Sequence, residues 1–334
     1  MEKLTELLGV PVRRDASGRV TPGVDAWLSA GPVPFLLAWS SSSAPGKLLA
    51  AIHRLKRTAM EAGGGAIPLV AVPYMGQMGK RLCEESQVAW VDLSGNARIE
   101  APGLKILVSG RPNLFKQRGR PSSPFAPKSS RIARWLLMHP GERFTQRKLA
   151  RATGMDEGFT SRIVTRLEQD RLVARDERGS VFVPEPNLLL DAWVEDYDFS
   201  KHGILRGHVP VRSSEELLQR LDEALGSNSV EHAATGLAAA WQMTRFAAFR
   251  IVAIYLADEP SPFLIENLAF REEERGANVW LVVPKDEGVF HGSGIYRGIR
   301  CVHPVQVYLD LKSHPERAAE VAEHLRKELL KWGK

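Results

Sequence analysis

The chain has 334 residues, 44% hydrophobic and 25% charged, a globular composition that excludes a disordered or fibrous protein and leaves room for two or three domains. Cys83 and Cys301 stand far apart and outside any CxxC or Cys/His spacing, which argues against a disulfide framework or structural zinc and suits a reducing cytoplasm. No apolar run reaches the roughly eighteen residues of a membrane span, and the first residues, MEKLTELLGV, hold acids where a signal peptide needs positive charge.

In chain order, residues 1–33 read as a short amphipathic helix and a loop rich in Gly and Pro. An alternation typical of a small α/β unit follows. Phe35–Trp39 is a predicted strand and Lys47–Glu61 a helix with Leu48, Leu49, Ile52 and Leu55 apolar, ended by Gly63-Gly64-Gly65. Strand Ile67–Val72, helix Met78–Glu85 and strand Val88–Leu93 come next. The turn Ser94-Gly95-Asn96 then leads into a hairpin of Ala97–Glu100 and Leu104–Val108, with Gly95 at positive φ and Asn96 bonding local backbone.

Residues 111–130 are Pro-rich, with five basic residues and no acid, and read as a linker. Within them Arg118-Gly119-Arg120-Pro121 matches the core of an AT-hook, in which Arg118 and Arg120 lie in a narrow A·T minor groove. A soluble basic linker is the alternative reading. The net charge is +6, and its location is informative. Residues 111–186 hold sixteen Lys+Arg against eight Asp+Glu, so the remaining residues together carry −2.

Ser130–His139 is a predicted helix with Ile132, Trp135, Leu136 and Leu137 inward, stopped by Pro140-Gly141. Thr145 caps a second helix, Gln146–Ala152, and Gly154 sits in the tight turn that follows. Asp156 caps a third helix to about Gln169, in which Thr160, Ile163, Val164 and Leu167 form one buried stripe. Leu172–Arg175 and Ser180–Val183 form a hairpin about Glu177-Arg178-Gly179. Together these make a winged helix-turn-helix, whose third helix enters the major groove of DNA. Opposite its stripe lie Ser161, Arg162, Thr165, Arg166 and Gln169, side chains able to reach base edges or phosphates, and the helix N-terminus can itself take a phosphate. Arg175 and Arg178 on the wing suit phosphate or minor-groove contacts, and Arg147 and Lys148 on the second helix can steady the backbone. The competing reading is a protein-contact module with a solvated basic face. Phe159 fits neither the polar face nor the stripe.

From Asn187 a mixed α/β region follows, with predicted strands at Ile251–Leu256, Val279–Val283 and Val305–Leu309 and helices near Ser214–Leu225, Ala233–Thr244 and Pro315–Trp332. The sequence therefore reads as α/β plus all-α. Its parts are an N-terminal small α/β domain (1–110), a basic Pro-rich linker (111–129), a winged helix-turn-helix (130–186) and a C-terminal mixed α/β domain (187–334).

Three sets of residues resemble the AbiEi-type regulators, the antitoxin side of type IV toxin–antitoxin systems. Val72-Pro-Tyr-Met75 with Val91-Asp-Leu-Ser-Gly-Asn-Ala97 is similar to one family segment, and Gly158–Leu167 to the recognition helix. Leu188–Trp193 with Tyr197, Gly236–Ala240 and Gln306-Val-Tyr-Leu-Asp-Leu311 resemble the C-terminal landmarks. The resemblance implies a bacterial DNA-binding protein that represses its own operon and counters a nucleotidyltransferase-like toxin without a stable complex. The best-known members carry the winged helix at the extreme N-terminus, whereas about 120 residues precede it here.

An enzyme reading rests on Asp92, Glu100 and Lys105, which mimic the carboxylates and lysine of restriction-type nucleases. Those enzymes place acid and lysine two residues apart on one strand, and position 102 here is Pro, so a degenerate nuclease-like fold fits better than an active site. There is no GxxxxGK[ST], GxSxG or glycine-rich dinucleotide loop. The expectation is a sequence-specific, autorepressing regulator of double-stranded DNA, a homodimer with no catalytic residues, metal, cofactor or membrane attachment. A DNA-directed nuclease and a scaffold binding protein through its C-terminal domain are the alternatives.

Overall fold

A computed structural model describes the chain except residues 15–23, 64, 102, 116–122, 313, 315–316 and 333–334. Arg118 and Arg120 thus lie outside the described residues. The chain folds as two compact units, Met1–Pro121 with Thr165–Ala174, and Ser122–Val164 with Arg175–Lys334. Among the described residues no helix is long and apolar enough to cross a membrane.

The first unit begins with helix α1 (Glu2–Leu8) and strands β1 (Val12–Arg14), β2 (Ala26–Ala30) and β3 (Val33–Trp39). Helix α2 (Pro45–Glu61), β4 (Ile67–Val72), α3 (Gln77–Glu85), β5 (Ala89–Asp92), β6 (Ala97–Ala101) and β7 (Leu104–Val108) complete it. The seven strands pair in sequence order. The centre, β3-β4-β5, is parallel, and antiparallel hairpins flank it on both sides. Strand alternation splits the apolar residues between two cores. Leu36, Ala38, Val70, Val72 and Trp90 join Leu48, Ile52 and Leu55 of α2. Phe35, Leu69, Ala71, Ala89, Val91 and Ile99 join Leu4 of α1. Strands β1 and β2 replace what reads as loop: both are short, and among the described residues they pair with each other and with β3.

The second unit opens with helices α4 (Ser130–Met138), α5 (Gln146–Thr153) and α6 (Glu157–Gln169), the last of which ends among residues of the first unit. Strands β8 (Ala174–Arg175) and β9 (Val181–Phe182) form the wing. Next come α7 (Pro186–Asp196), β10 (Gly203–His208), α8 (Ser214–Ser227), β11 (His232–Thr235), α9 (Gly236–Thr244), β12 (Val252–Leu256) and α10 (Pro262–Asn267). The chain continues through β13 (Arg271–Glu272), β14 (Val279–Val283), β15 (Gly294–Tyr296), β16 (Ile299–Cys301), α11 (Pro304–Leu311) and α12 (Ala318–Leu329). The sheet order is β13-β10-β14-β12-β11-β16-β15, parallel at β12/β14 and β11/β16 and antiparallel elsewhere.

Two sequence assignments are corrected here. The predicted helix Ala233–Thr244 starts as strand β11 and turns helical only at Gly236, whose φ is 59°. The predicted strand Val305–Leu309 is the helix α11. Its alternating apolar pattern misleads because every residue from Pro304 to Leu311 is buried, so polarity does not mark a solvent face. Pro304 at the first turn and the His303 side chain, which accepts from Val305 N, start the helix.

Gly207 on β10 shows how closely the sheet edge packs. A Cβ there would lie 2.2 Å from Phe270 Cζ and 2.5 Å from the Arg271 carbonyl oxygen. Gly207→Ala should lower stability by about 1–3 kcal/mol through overpacking, read as a fall in Tm. An unchanged Tm would show that β13 yields freely.

Candidate nucleic-acid interface

The helix-turn-helix is built as its residue types require. Ile132, Leu136 and Leu137 of α4, Leu149 of α5, and Ile163 and Val164 of α6 are all buried. Thr145 Oγ1 accepts from Lys148 N at 3.3 Å and starts α5, while Gly154, at φ 65°, closes it. Asp156 Oδ1 accepts from Phe159 N at 2.7 Å and caps α6. Phe144 is bridged to Val181, which ties the wing to the segment before α5.

The stripe Thr160, Ile163, Val164 and Leu167 is buried, and Arg162, Thr165, Arg166 and Gln169 on the opposite face are exposed. Arg166 is 52% exposed and reaches back to Asp170, its Nε 3.4 Å from Oδ2. Ser161 is half-buried, and its Oγ accepts from Gln146 Nε2 at 3.2 Å. Phe159, unexplained by the sequence pattern, lies under the Arg162 guanidinium at 5.6 Å. That contact holds a long cation over an aromatic face and limits its rotamers. Arg147 is 78% exposed and paired with Glu157 at 3.0 Å, while Lys148 is exposed. On the wing, Asp176 Oδ1 accepts from Arg178 N and Ser180 N at 3.0 and 2.8 Å. Those backbone donors, that of Ser180 foremost, hold its carboxyl below the usual range. Arg178 is exposed at the tip, whereas Arg175 is half-buried and turns back to the Gly179 carbonyl at 3.4 Å.

Two readings of charge need correction. Asp156 and Glu157 stand at the N-terminus of α6, where their carboxylates offset the attraction of the helix dipole for a phosphate. Arg131 and Arg134, counted in the basic excess, point inward, 8% and 3% exposed, while Trp135, expected inward, is half-exposed. Arg131 makes a two-pronged ion pair with Asp286, Nε to Oδ1 and Nη2 to Oδ2 both at 2.7 Å.

Arg134 enters a polar network that joins α4 to the mixed α/β part of the same unit. Its Nη2 donates to Gln306 Oε1 at 2.6 Å and its guanidinium lies 5.0 Å over the Trp193 ring. Gln306 Nε2 donates to Asp310 Oδ1 at 2.8 Å and to Tyr197 Oη at 2.9 Å. Asp310 also accepts from the hydroxyls of Tyr197, Thr235 and Tyr255. Lys285 N donates to His202 Nδ1 at 3.1 Å, so the other ring nitrogen, 3.0 Å from Tyr197 Oη, carries the proton. Sequence reasoning missed this network, although it quoted Trp193, Tyr197, Gln306 and Asp310 as landmarks. Their convergence depends on tertiary packing.

The nuclease-like triad is not assembled. Asp92 accepts from Asn96 N at 2.8 Å, from Asn96 Nδ2 at 3.0 Å and from Met75 N at 3.1 Å. Asn96 in turn grips Arg111 through N–H···Oδ1 at 2.8 Å and Nδ2–H···O at 3.1 Å. Gly95 has φ 94°, and a Cβ there would strike Arg111 Nη1 at 2.3 Å. The Asp-x-x-Gly-Asn segment is thus a turn that anchors the start of the linker. Glu100 and Lys105 face each other across the β6/β7 hairpin as a surface ion pair of 3.6 Å.

Burial pushes the Asp310 carboxyl up to about 6 despite its four donors. An acid whose pKa is raised on folding stabilises the folded state fully below its unfolded value, near 4, and loses that contribution as pH rises to about 6. The gap of about two pH units corresponds to about 3 kcal/mol. Between pH 4 and 6.5 the stability of Asp310→Asn should therefore rise relative to the natural protein, by up to that amount in paired urea titrations. A difference independent of pH would contradict the assignment.

Residues 125–180 match the model of the MarR family, and residues 181–331 match the family described as transcriptional regulator, AbiEi antitoxin, type IV TA system. The Val72–Met75 and Val91–Ala97 segments lie outside both matches. No curated protein and no solved structure matches the chain. Together the two matches, over residues 125–331, support a DNA-binding regulator similar to the AbiEi antitoxins, with a helix-turn-helix similar to the MarR kind.

Proposed function

We propose that the protein represses its own promoter as the antitoxin of a type IV system, reading double-stranded DNA with the outer face of α6. In this reading Arg162, Arg166, Thr165 and Gln169 address base edges and Ser161 the flank. Arg147, Lys148, Arg175 and Arg178 contact phosphates, with Arg178 the most projecting wing cation. Arg118 and Arg120 add salt-dependent affinity from the linker. The observation that carries the reading is the exposure of this face over a closed apolar stripe. We further assign a homodimer on a two-fold operator, a cytoplasmic setting, a nucleotidyltransferase-like toxin as functional counterpart, and the four-part division at residues 110, 129 and 186. Neither the buried Asp92 nor the Glu100–Lys105 surface pair favours the nuclease alternative.

The test is a gel shift with DNA from upstream of the protein's own coding sequence, across a salt series. Arg162→Ala with Arg166→Ala should abolish specific binding. The residual non-specific binding should keep nearly the natural salt slope, because the cations assigned to phosphates remain. The Tm should stay nearly unchanged, because Arg162 and Arg166 are exposed and Asp170, the buried partner of Arg166, keeps Lys47 at 3.2 Å. Affinity equal to the natural protein's in the double variant would overturn the assignment of this face.

A further inference from the structure

The last turn of α6 belongs to the first unit, where it meets the start of α2. Helix α6 closes on a left-handed residue, Arg171 at φ 57°. Leu172 N donates to the Leu167 carbonyl and Arg171 N to that of Glu168, both at 2.9 Å. The Asp170 and Arg171 carbonyl oxygens lie against Gly46, where a Cβ would stand 2.4 Å and 3.0 Å from them and 2.8 Å from Arg171 Cβ. Helix α2 has Pro45 in its first turn and no acid there, so its positive end receives the negative end of α6. With no room for even a methyl group, the spacing of the two helix ends is fixed.

Across this junction lies a carboxylate. Asp170 is 8% exposed, and among the described residues its ion-pair partners are Lys47, with Nζ 3.2 Å from Oδ1, and Arg166, with Nε 3.4 Å from Oδ2. The two cations differ in freedom. Lys47 is half-buried at the start of α2, whereas Arg166 is more than half exposed on the outer face of α6. When Arg166 turns toward a base edge it gives up Asp170, and a buried carboxylate left without a cation is strongly unfavourable. Lys47 removes that obstacle, because it stays on Oδ1 while the guanidinium swings outward.

We propose, resting on the reading of duplex DNA by the outer face of α6, that Lys47 and Asp170 are positioning residues for Arg166. Asp170 holds the guanidinium ready, and Lys47 answers the carboxylate once Arg166 has turned to the duplex. The α/β part at residues 1–110 thereby acts in recognition through the start of α2, without a contact between Lys47 and DNA.

Fluorescence anisotropy of the full-length protein tests this at one salt concentration, with labelled upstream DNA and a random-sequence duplex of equal length. Lys47→Met should weaken binding to the upstream DNA by about tenfold, because a buried charge is left unanswered, and should leave binding to the random duplex unaffected. Lys47→Arg should restore most of that affinity. In an Asp170→Asn background, where there is no charge to strand, Lys47→Met should change binding by less than about threefold. Equal loss on both duplexes would make Lys47 a phosphate contact, and equal loss with and without the Asp170 charge would remove the coupling; either overturns the proposal. If Lys47→Met fails to fold, Asp170→Asn decides: Arg166, freed from its carboxylate, should bind the upstream DNA more tightly, and equal or weaker binding overturns the proposal. Arg166→Ala separates the two readings. If it weakens upstream binding while Lys47→Met does not, only the positioning role falls. If Arg166→Ala binds as the natural protein does, the reading of α6 falls and the positioning role with it.

Discussion

The second unit turns on one electrostatic arrangement: a buried guanidinium and a buried carboxyl kept apart by a single amide. Arg134 and Asp310 do not touch, and Gln306 accepts from one and donates to the other. In a dry interior each charge alone would be prohibitive, and only full hydrogen bonding makes the pair tolerable. Asp310 achieves that with four donors, whereas Arg134 keeps Nε and Nη1 buried without an acceptor. The network also makes the first helix of the helix-turn-helix part of the core of the mixed α/β region within the second unit.

The exposed face of the helix-turn-helix is arranged differently. Three of its cations are paired: Arg147 has Glu157, Arg166 has Asp170, and Arg143 has Asp176 at 3.3 Å while its guanidinium lies 4.4 Å from the Phe182 ring centroid. Exposed pairs such as Arg147–Glu157 contribute little to stability and serve to hold long side chains in place. The basic excess seen in the sequence therefore overstates the field at the surface, since Arg131 and Arg134 are spent inside.

Much of the fold was legible because local signals agreed with tertiary demand. The helix-turn-helix announced itself through Thr145, Gly154 and Asp156 at its caps and turn and through the stripe from Thr160 to Leu167. In the first unit, Gly95 and Asn96 behave as turn chemistry requires. Two failures share one cause, burial on all sides. Helix α11 alternates like a strand because its polar residues face a network rather than water. Arg131 and Arg134 read as surface because a charged residue usually is surface. The short strands β1 and β2 carried no periodicity to detect. Of the site, the exposed face of α6 was legible from spacing alone. The role of Phe159 beneath Arg162 was not, because a cation over an aromatic ring leaves no mark in an apolar pattern.

The span between Arg134 and Gln306, 172 residues, carries a consequence for synthesis on the ribosome. Chains emerge at about 5–20 residues per second, so α4 leaves the exit tunnel many seconds before the amide that answers its guanidinium. During that interval the nascent helix-turn-helix lacks the partner on which its first helix is seated. A prematurely terminated chain would leave that guanidinium exposed or without its amide acceptor, so the first helix of the helix-turn-helix is fully seated only after the far end of the message is translated.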